Sequence, residues 1–251
     1  MHGPDFERPS PETVEILSKG STASYTTIFR RKGIEDIWML IKPLFWGAKV
    51  VGPALTIRTV PHRGDIGRDV AYAVGTLWPG HPDDAIDAIK PGDVVVLDGR
   101  GDTREGLFGD LLTMRIKEMG AAGLVCDMAV RDGPRMKEKG LPVFCLGTAA
   151  PGGTVYNVDY NVPIGCAGCL VCPGDVIVGD DDGVVVIPQA MVDEVVEEIL
   201  LIEDRETFIR MMLAQGYSQR GLYPMGPEME TRFQAWRAER RPPSPSTPDR
   251  S

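Results

Sequence analysis

At 251 residues, 43% of them apolar, the chain is long enough to fill one generous domain around a real core. Its formal charge of −9 at pH 7 speaks against a nucleic-acid ligand, because affinity for phosphate backbones comes from clustered Lys and Arg that release counterions. No stretch approaches the roughly 20 consecutive apolar residues of a membrane span, and five cysteines, an odd number in a chain of this size, fit free thiols in a reducing, cytoplasmic setting.

The first predicted element is a packing helix over Pro11 to Ser18, with Val14, Ile16 and Leu17 as its apolar residues. It belongs to an N-terminal helical segment, residues 1–46. From Ala48 the pattern becomes strand-like. Val50, Val51, Leu55, Ile57 and Val60 alternate with small or polar residues, and Gly52-Pro53 reads as a sign of an edge strand or a bulge.

Pro91-Gly92-Asp93 followed by Val94 to Asp98 recurs as Pro173-Gly174-Asp175 followed by Val176 to Asp180. Each copy is a tight turn that delivers the chain into a β-branched strand. Between the copies the prediction alternates: a helix from Asp110 to Met119, a strand from Leu124 to Asp127, a short helix from Pro134 and a strand from Pro142 to Leu146. Such alternation argues an α/β core that starts near Ala48.

After Pro188, Val192, Val195, Val196, Ile199 and Leu200 line one face of a helix and Asp193, Glu194, Glu197 and Glu198 the other, out to about Leu213. A helical extension, 207–239, follows. Arg240 to Ser251 carry no apolar residue, cannot offset their ordering entropy, and are expected to be disordered.

Three apparent motifs are set aside. Cys166, Cys169 and Cys172 have the spacing of a metal-binding loop, but on a single strand Cys166 and Cys172 would share a face and Cys169 take the other. Asp180-Asp181-Asp182-Gly183 resembles a fragment of a calcium loop but lacks the distal bidentate Glu, so a hairpin turn is the expected structure. His2, His62 and His81 are scattered, and none receives a catalytic role.

The chemistry concentrates between Leu107 and Leu146. Gly109 lets the chain turn sharply and Asp110, Leu111 and Leu112 open a helix, leaving backbone N–H groups that suit a carboxylate. Ile116 and Met119 follow Leu112 at helical spacing and hold that end by packing. An ordinary buried helix reads equally well from these residues. Arg131 and Asp132 fall at the exit of the buried strand. Ligands of α/β sheets gather beyond strand C-termini, where an Arg can grip a carboxylate through two hydrogen bonds and an Asp can offer a hard oxygen to a dication. A surface ion pair, or a helix N-cap at Asp132, accounts for the same dipeptide.

These blocks, in order, resemble the RraA-like family: Gly109-Asp110-Leu111-Leu112, Gly120 to Asp127, Ala129-Val130-Arg131-Asp132, Gly140 to Phe144, Pro173-Gly174-Asp175 and Asp182 to Pro188. The resemblance covers roughly residues 47–206. It implies a three-layer swivelling β/β/α domain, assembled as a trimer or a pair of trimers. The family includes aldolases acting on 4-hydroxy-4-methyl-2-oxoglutarate and 4-carboxy-4-hydroxy-2-oxoadipate, and also a non-catalytic regulator of ribonuclease E, so membership alone does not decide activity.

Carried over, the resemblance implies that Gly109, Asp110, Leu111 and Leu112 bind the pyruvyl part of an oxo-acid substrate together with Arg131. It also implies that Asp132 holds Mg²⁺ or Mn²⁺ largely through waters, and that Asp110 orders a water for proton transfer. For Asp110 a helix N-cap stands equally open. Glu203 and Glu206 fall where the family's aldolases borrow a glutamate from a neighbouring subunit, but a solvated helix face is the better reading of them. The chain departs from the aldolase pattern at one place: three residues after Asp132, where an acid is usual, it has Arg135. The expected function is a carbon–carbon lyase releasing pyruvate, with oxaloacetate decarboxylation through the same enolate. The alternative is a regulator whose acidic surface meets a basic partner.

Overall fold

The computed structural model describes residues 2–61, 65, 84–152 and 155–240, which divide between two units, Met1–Val196 and Glu197–Ser251. In the first unit two helices, α1 (Pro11–Leu17) and α2 (Thr22–Arg31), precede the strands. Ser10 accepts from the Thr13 N–H and Ser21 from that of Ser24, so each helix starts on a side-chain cap. The second helix is hard to see in the sequence because its buried large residues are only Tyr25, Ile28 and Phe29, set among threonines.

The strands are β1 (Trp38–Met39), β2 (Lys42–Pro43), β3 (Val50–Pro61), β4 (Val94–Asp98), β5 (Gly123–Cys126), β6 (Ala129–Val130), β7 (Val143–Cys145), β8 (Gly147–Thr148), β9 (Val155–Tyr160), β10 (Ile164–Cys166), β11 (Cys169–Val171), β12 (Val176–Asp180) and β13 (Gly183–Ile187). Among them lie α3 (Asp84–Asp87), α4 (Asp110–Glu118) and α5 (Gly133–Lys139). β3, β4, β5 and β7 run parallel side by side. β12, β13 and β1 continue the sheet antiparallel beyond β3, and β2 pairs antiparallel with β7.

The parallel strands are covered on both faces, so they read as unbroken apolar runs. Side chains alternate between the faces. Leu55, Val95, Leu97, Leu124 and Cys126 pack with Ile86, Ile116 and Met136 of the helices. Ala54, Val94, Val96, Val125 and Phe144 pack with Ile164, Cys166, Cys169 and Val171 of the β10–β11 hairpin and with Ile177, Val184 and Val186. Helices, parallel sheet and a second β layer make the expected α/β, β/β/α stack.

Gly52-Pro53 marks neither an edge nor a bulge. β3 is central, pairing through Val50–Pro53 with β12 and from Ala54 with β4, and its irregularity falls at Arg58/Thr59. Glycine is needed at 52 because a Cβ there would meet the Gly92 carbonyl oxygen at 2.1 Å.

The two Pro-Gly-Asp copies fold alike. Asp93 N–H donates to the Lys90 carbonyl at 3.0 Å and Asp175 N–H to that of Cys172 at 3.1 Å, with Gly92 and Gly174 at φ of 91° and 86°, as a turn with Pro then Gly requires. Each carboxylate returns to the first residue of its turn, Asp93 to Lys90 N–H at 2.9 Å and Asp175 to Cys172 N–H at 2.8 Å. Arg8 then clamps the buried Asp93 with two bonds of 2.7 and 2.9 Å.

The single strand expected through Cys166, Cys169 and Cys172 is instead a hairpin. Ala167 and Gly168 turn it at φ of 47° and 85°, which makes Cys166 and Cys169 cross-strand partners on one buried face. Their thiols diverge, Cys166 toward the Leu97 carbonyl and Cys169 toward that of Trp38, and all five cysteines are free. The Asp180–Gly183 segment is the expected hairpin turn between β12 and β13. The Lys42 ammonium occupies its acceptor face, donating to the carbonyls of Asp181 and Asp182 at 3.1 and 2.8 Å.

Helix α6 (Val192–Ala214) carries the predicted apolar face, with Val192, Val195 and Ile199 buried. In the second unit Phe208, Met212, Leu222 and Phe233 form a small core with α7 (Pro227–Arg240). Arg205 grips Glu230 at 2.6 and 3.0 Å and Arg237 meets Asp204 at 3.1 Å. Arg240 closes α7, so the expected disordered tail does not begin there, and 241–251 lie outside the described residues, as do His62 and His81. His2 stacks on Tyr160. Among the described residues no helix is long and apolar enough to cross a membrane.

Candidate functional site

Arg131 and Asp132 leave β6, and both side chains turn toward the start of α4. A Cβ built on Gly109 would lie 2.7 Å from Asp132 Oδ2, 3.1 Å from Arg131 Nε and 3.3 Å from Arg131 Cγ. The strand exit is fixed by backbone bonds: Arg131 N–H donates to the Phe108 carbonyl at 2.9 Å and Ala129 N–H to that of Asp102 at 3.0 Å. The chain just before α4 is therefore tied to the chain just before Arg131.

Arg131 passes through a slot walled by glycines. A Cβ at Gly106 would come within 2.7 Å of the Arg131 backbone nitrogen, and one at Gly152 within 2.9 Å of Arg131 Nη1. Gly106 also bridges to both Ala129 and Gly152. Sequence reading found Gly109 but neither Gly106 nor Gly152, since nothing local distinguishes them from turn glycines.

Gly109 is the N-cap of α4 and has no side chain with which to cap it. Asp110 is thus the first helical residue, and the N-cap expected as its alternative role falls to Gly109. The first amide to find a partner inside the helix is that of Thr113, which donates to the Gly109 carbonyl at 3.0 Å, and the Thr113 hydroxyl adds a bond of 2.8 Å to the same oxygen. Among the described residues no acceptor meets the N–H groups of Asp110, Leu111 and Leu112, the usual condition of a helix start. Ile116 and Thr113 are fully buried and Leu111 is exposed, so the helix is anchored from behind while its first turn faces outward.

Asp132 sits at the N-cap position of α5 with φ of 57°, in the left-handed region, and makes no capping bond. Aspartate is among the residues that tolerate this conformation. Its carboxylate meets Arg131 Nε at 3.4 Å, the ion pair that the dipeptide suggested. Across the same space Arg135, in the first turn of α5, brings Nη1 to 3.9 Å from Asp110 Oδ2. Two carboxylates and two guanidinia therefore surround one helix start.

Asp127, buried at the end of β5, accepts Gly99 N–H on one oxygen at 2.5 Å and Ala167 N–H on the other at 3.0 Å. Burial pushes its carboxyl above the ordinary range, against the pull of those two bonds. It braces the loop after β4 and the β10–β11 turn behind the site. An acid inside an apolar strand run is the signal that marks it.

Arg100 and Arg104 line a separate open recess of about 400 Å³ with Pro61, Gly99 and Val155. Neither Arg131 nor Asp132 reaches it. Arg104 is spent on Asp102, at 3.0 and 2.7 Å.

Among the described residues no cluster of three or more His, Cys, Asp or Glu is arranged to hold a metal. A hard dication that keeps most of its waters needs only one or two protein carboxylates. The uncapped carboxylate of Asp132, with Asp110 nearby, fits that kind of ion. Zinc prefers thiolates and imidazoles, and among the described residues the site offers it none. Glu203 and Glu206 lie on α6 in the second unit, where Glu206 takes Arg210 at 2.5 Å one turn on, as a solvated face does.

The fold and this strand-exit site define an α/β protein of the aldolase/RraA type. The RraA-like family model, described as Aldolase/RraA, matches residues 24–186, and the chain belongs to that family. A protein of Halalkalibacterium halodurans named "Putative 4-hydroxy-4-methyl-2-oxoglutarate aldolase" is 35% identical over 167 residues, covering 66% of this chain and 72% of the relative. Protein DlpA of Legionella pneumophila is 31% identical over 208 residues, 82% of this chain but only 32% of DlpA. The crystal structure of Streptomyces coelicolor RraAS2, described as an unusual member of the RNase ES inhibitor RraA protein family, superposes with a TM-score of 0.72 at 34% identity, over 82% of this chain and 99% of that one.

Proposed function

We propose that this chain is a divalent-metal-dependent carbon–carbon lyase. It cleaves a 4-hydroxy-2-oxo di- or tricarboxylic acid of the 4-hydroxy-4-methyl-2-oxoglutarate type to pyruvate, and it decarboxylates oxaloacetate. The observation that carries this reading is the convergence of Arg131 and Asp132 on Gly109, beside the unbonded amides of Asp110, Leu111 and Leu112.

The pyruvyl carboxylate lies on those amides, and Arg131 holds the adjoining oxygen, where negative charge develops. Asp132 would hold Mg²⁺ or Mn²⁺ largely through waters, and that ion would supply Lewis-acid stabilisation of developing negative charge. Asp110, through an ordered water, takes the proton of the C4 hydroxyl. The O–H pair becomes the new carbonyl, the C3–C4 pair moves into the pyruvate enolate, and protonation at C3 completes pyruvate. Oxaloacetate reaches the same enolate by losing carbon dioxide. Glu203 or Glu206 serves the site of a neighbouring copy in a trimer or hexamer.

The test is pyruvate release from oxaloacetate and from 4-hydroxy-4-methyl-2-oxoglutarate, with Mg²⁺ or Mn²⁺ and with EDTA. Metal-dependent turnover that disappears in Asp132→Ala is the expected result. No turnover in either protein would favour the second reading, a non-catalytic regulator that binds a basic partner through its acidic surface. That reading draws on Arg135 in place of the usual acid.

A further inference from the structure

Arg135 is the guanidinium at this site that has no fixed partner. It stands in the first turn of α5, is 72% exposed, and its one ion pair among the described residues is a 3.9 Å approach to Asp110, beyond hydrogen-bond range. Arg104 is doubly bonded to Asp102 and Arg131 is confined by glycines. Among the described residues Arg135 is thus a second guanidinium, beside Arg131, with unused donors near the helix start. Where the family's aldolases have an acid, this chain carries a planar fork that matches a carboxylate.

We propose that Arg135 is a specificity residue that receives the second carboxylate of the substrate, the one remote from the pyruvyl group. The proposal rests on the lyase reading for the placement of the first carboxylate. The two ends of a dicarboxylate then have separate receptors: Arg131 and the α4 amides at one, Arg135 at the other. The Asp110 carboxylate comes to 3.9 Å from the Arg135 fork, too far to satisfy its donors. A site with this charge pattern selects dianionic oxo acids over monoanionic ones of equal length, because leaving the fork unpaired against a methyl group loses a charge-assisted hydrogen bond.

Calorimetric titration of the whole chain with 2-oxoglutarate and with 2-oxopentanoate tests this without turnover. The wild type is expected to prefer 2-oxoglutarate. Arg135→Gln should cut that preference by about ten- to a hundredfold, and Arg135→Lys, which keeps the charge, should recover part of it. A preference changed less than twofold in Arg135→Gln, or no binding of either acid by the wild type, overturns the proposal. Turnover of 4-hydroxy-4-methyl-2-oxoglutarate and of its monoanionic analogue 4-hydroxy-4-methyl-2-oxopentanoate separates the two claims. Absence of pyruvate together with an Arg135-dependent preference in binding sinks the lyase reading and leaves Arg135 as an anion receptor. Turnover with an unmoved preference sinks the role of Arg135 alone.

Discussion

Asp132 Oδ2 stands 2.7 Å from the point that a Cβ on Gly109 would occupy. The backbone of Gly109 is extended, with φ of −121°, a conformation any residue adopts. What requires glycine there is the carboxylate in front of it. Gly109→Ala should therefore fold normally while pushing Asp132 and Arg131 aside, and pyruvate release should fall by about a hundredfold, the usual cost of an ångström-scale misplacement. An unchanged kcat/KM with an unchanged Tm would show that the contact is not functional.

Asp132→Asn separates charge from shape. Asparagine tolerates the left-handed backbone that Asp132 adopts at φ of 57°, and no capping bond is lost, so the denaturation midpoint should stay put. The carboxylate is gone, however, and activity should drop by about a hundred- to a thousandfold and lose its dependence on added Mg²⁺ or Mn²⁺. Parallel assays with and without EDTA read this directly.

Far from the site, Arg8 is the partner of a carboxylate that has no exposure at all. Its removal leaves Asp93 buried with the Lys90 amide as its remaining donor. Arg8→Ala is expected to destabilise the first unit by about 3 kcal/mol or more, measured by chemical denaturation. A loss below about 1 kcal/mol, the scale of a surface pair, would mean that water takes the place of the guanidinium.

The same arginine, together with Lys90, holds the Asp5 carboxyl down from 3.8 to about 2, Lys90 contributing most. A depressed carboxylate stabilises the fold above its unfolded value and loses that contribution as pH falls through the folded one. The window is thus from about 4 down to about 2. Asp5 is exposed, so the effect is small. Asp5→Asn should flatten the acid limb of stability within that window and carry its small cost, undiminished, up to neutral pH.

Thiol labelling probes the hairpin. Burial pushes the thiols of Cys126 and Cys166 well above their ordinary range, and that of Cys169 up to about 11. Cys172 is the least buried of the five. Iodoacetamide at neutral pH should therefore alkylate Cys172 first, and the others should react only on unfolding. Early labelling of Cys166 in intact protein would contradict the packing of β10 against β4.

Local pattern alone placed the elements that carry the chemistry. Gly109 before an amphipathic stretch, an apolar run through Leu124 and Val125, and Arg131-Asp132 at its end are short-range features, and helix start and strand exit follow from them. The paired Pro-Gly-Asp turns are equally legible, because proline fixes its own φ and glycine permits the positive φ that the next position requires. Tertiary structure alone decided what those elements meet. Gly52-Pro53 became part of a central strand because β12 and β4 both pair with β3. The cysteines became a hairpin because Ala167 and Gly168 turn the chain back on itself. Gly106 and Gly152 acquired their purpose only when distant segments closed around Arg131. Strand register and close approach are relations between residues far apart in the chain, and no local periodicity encodes them.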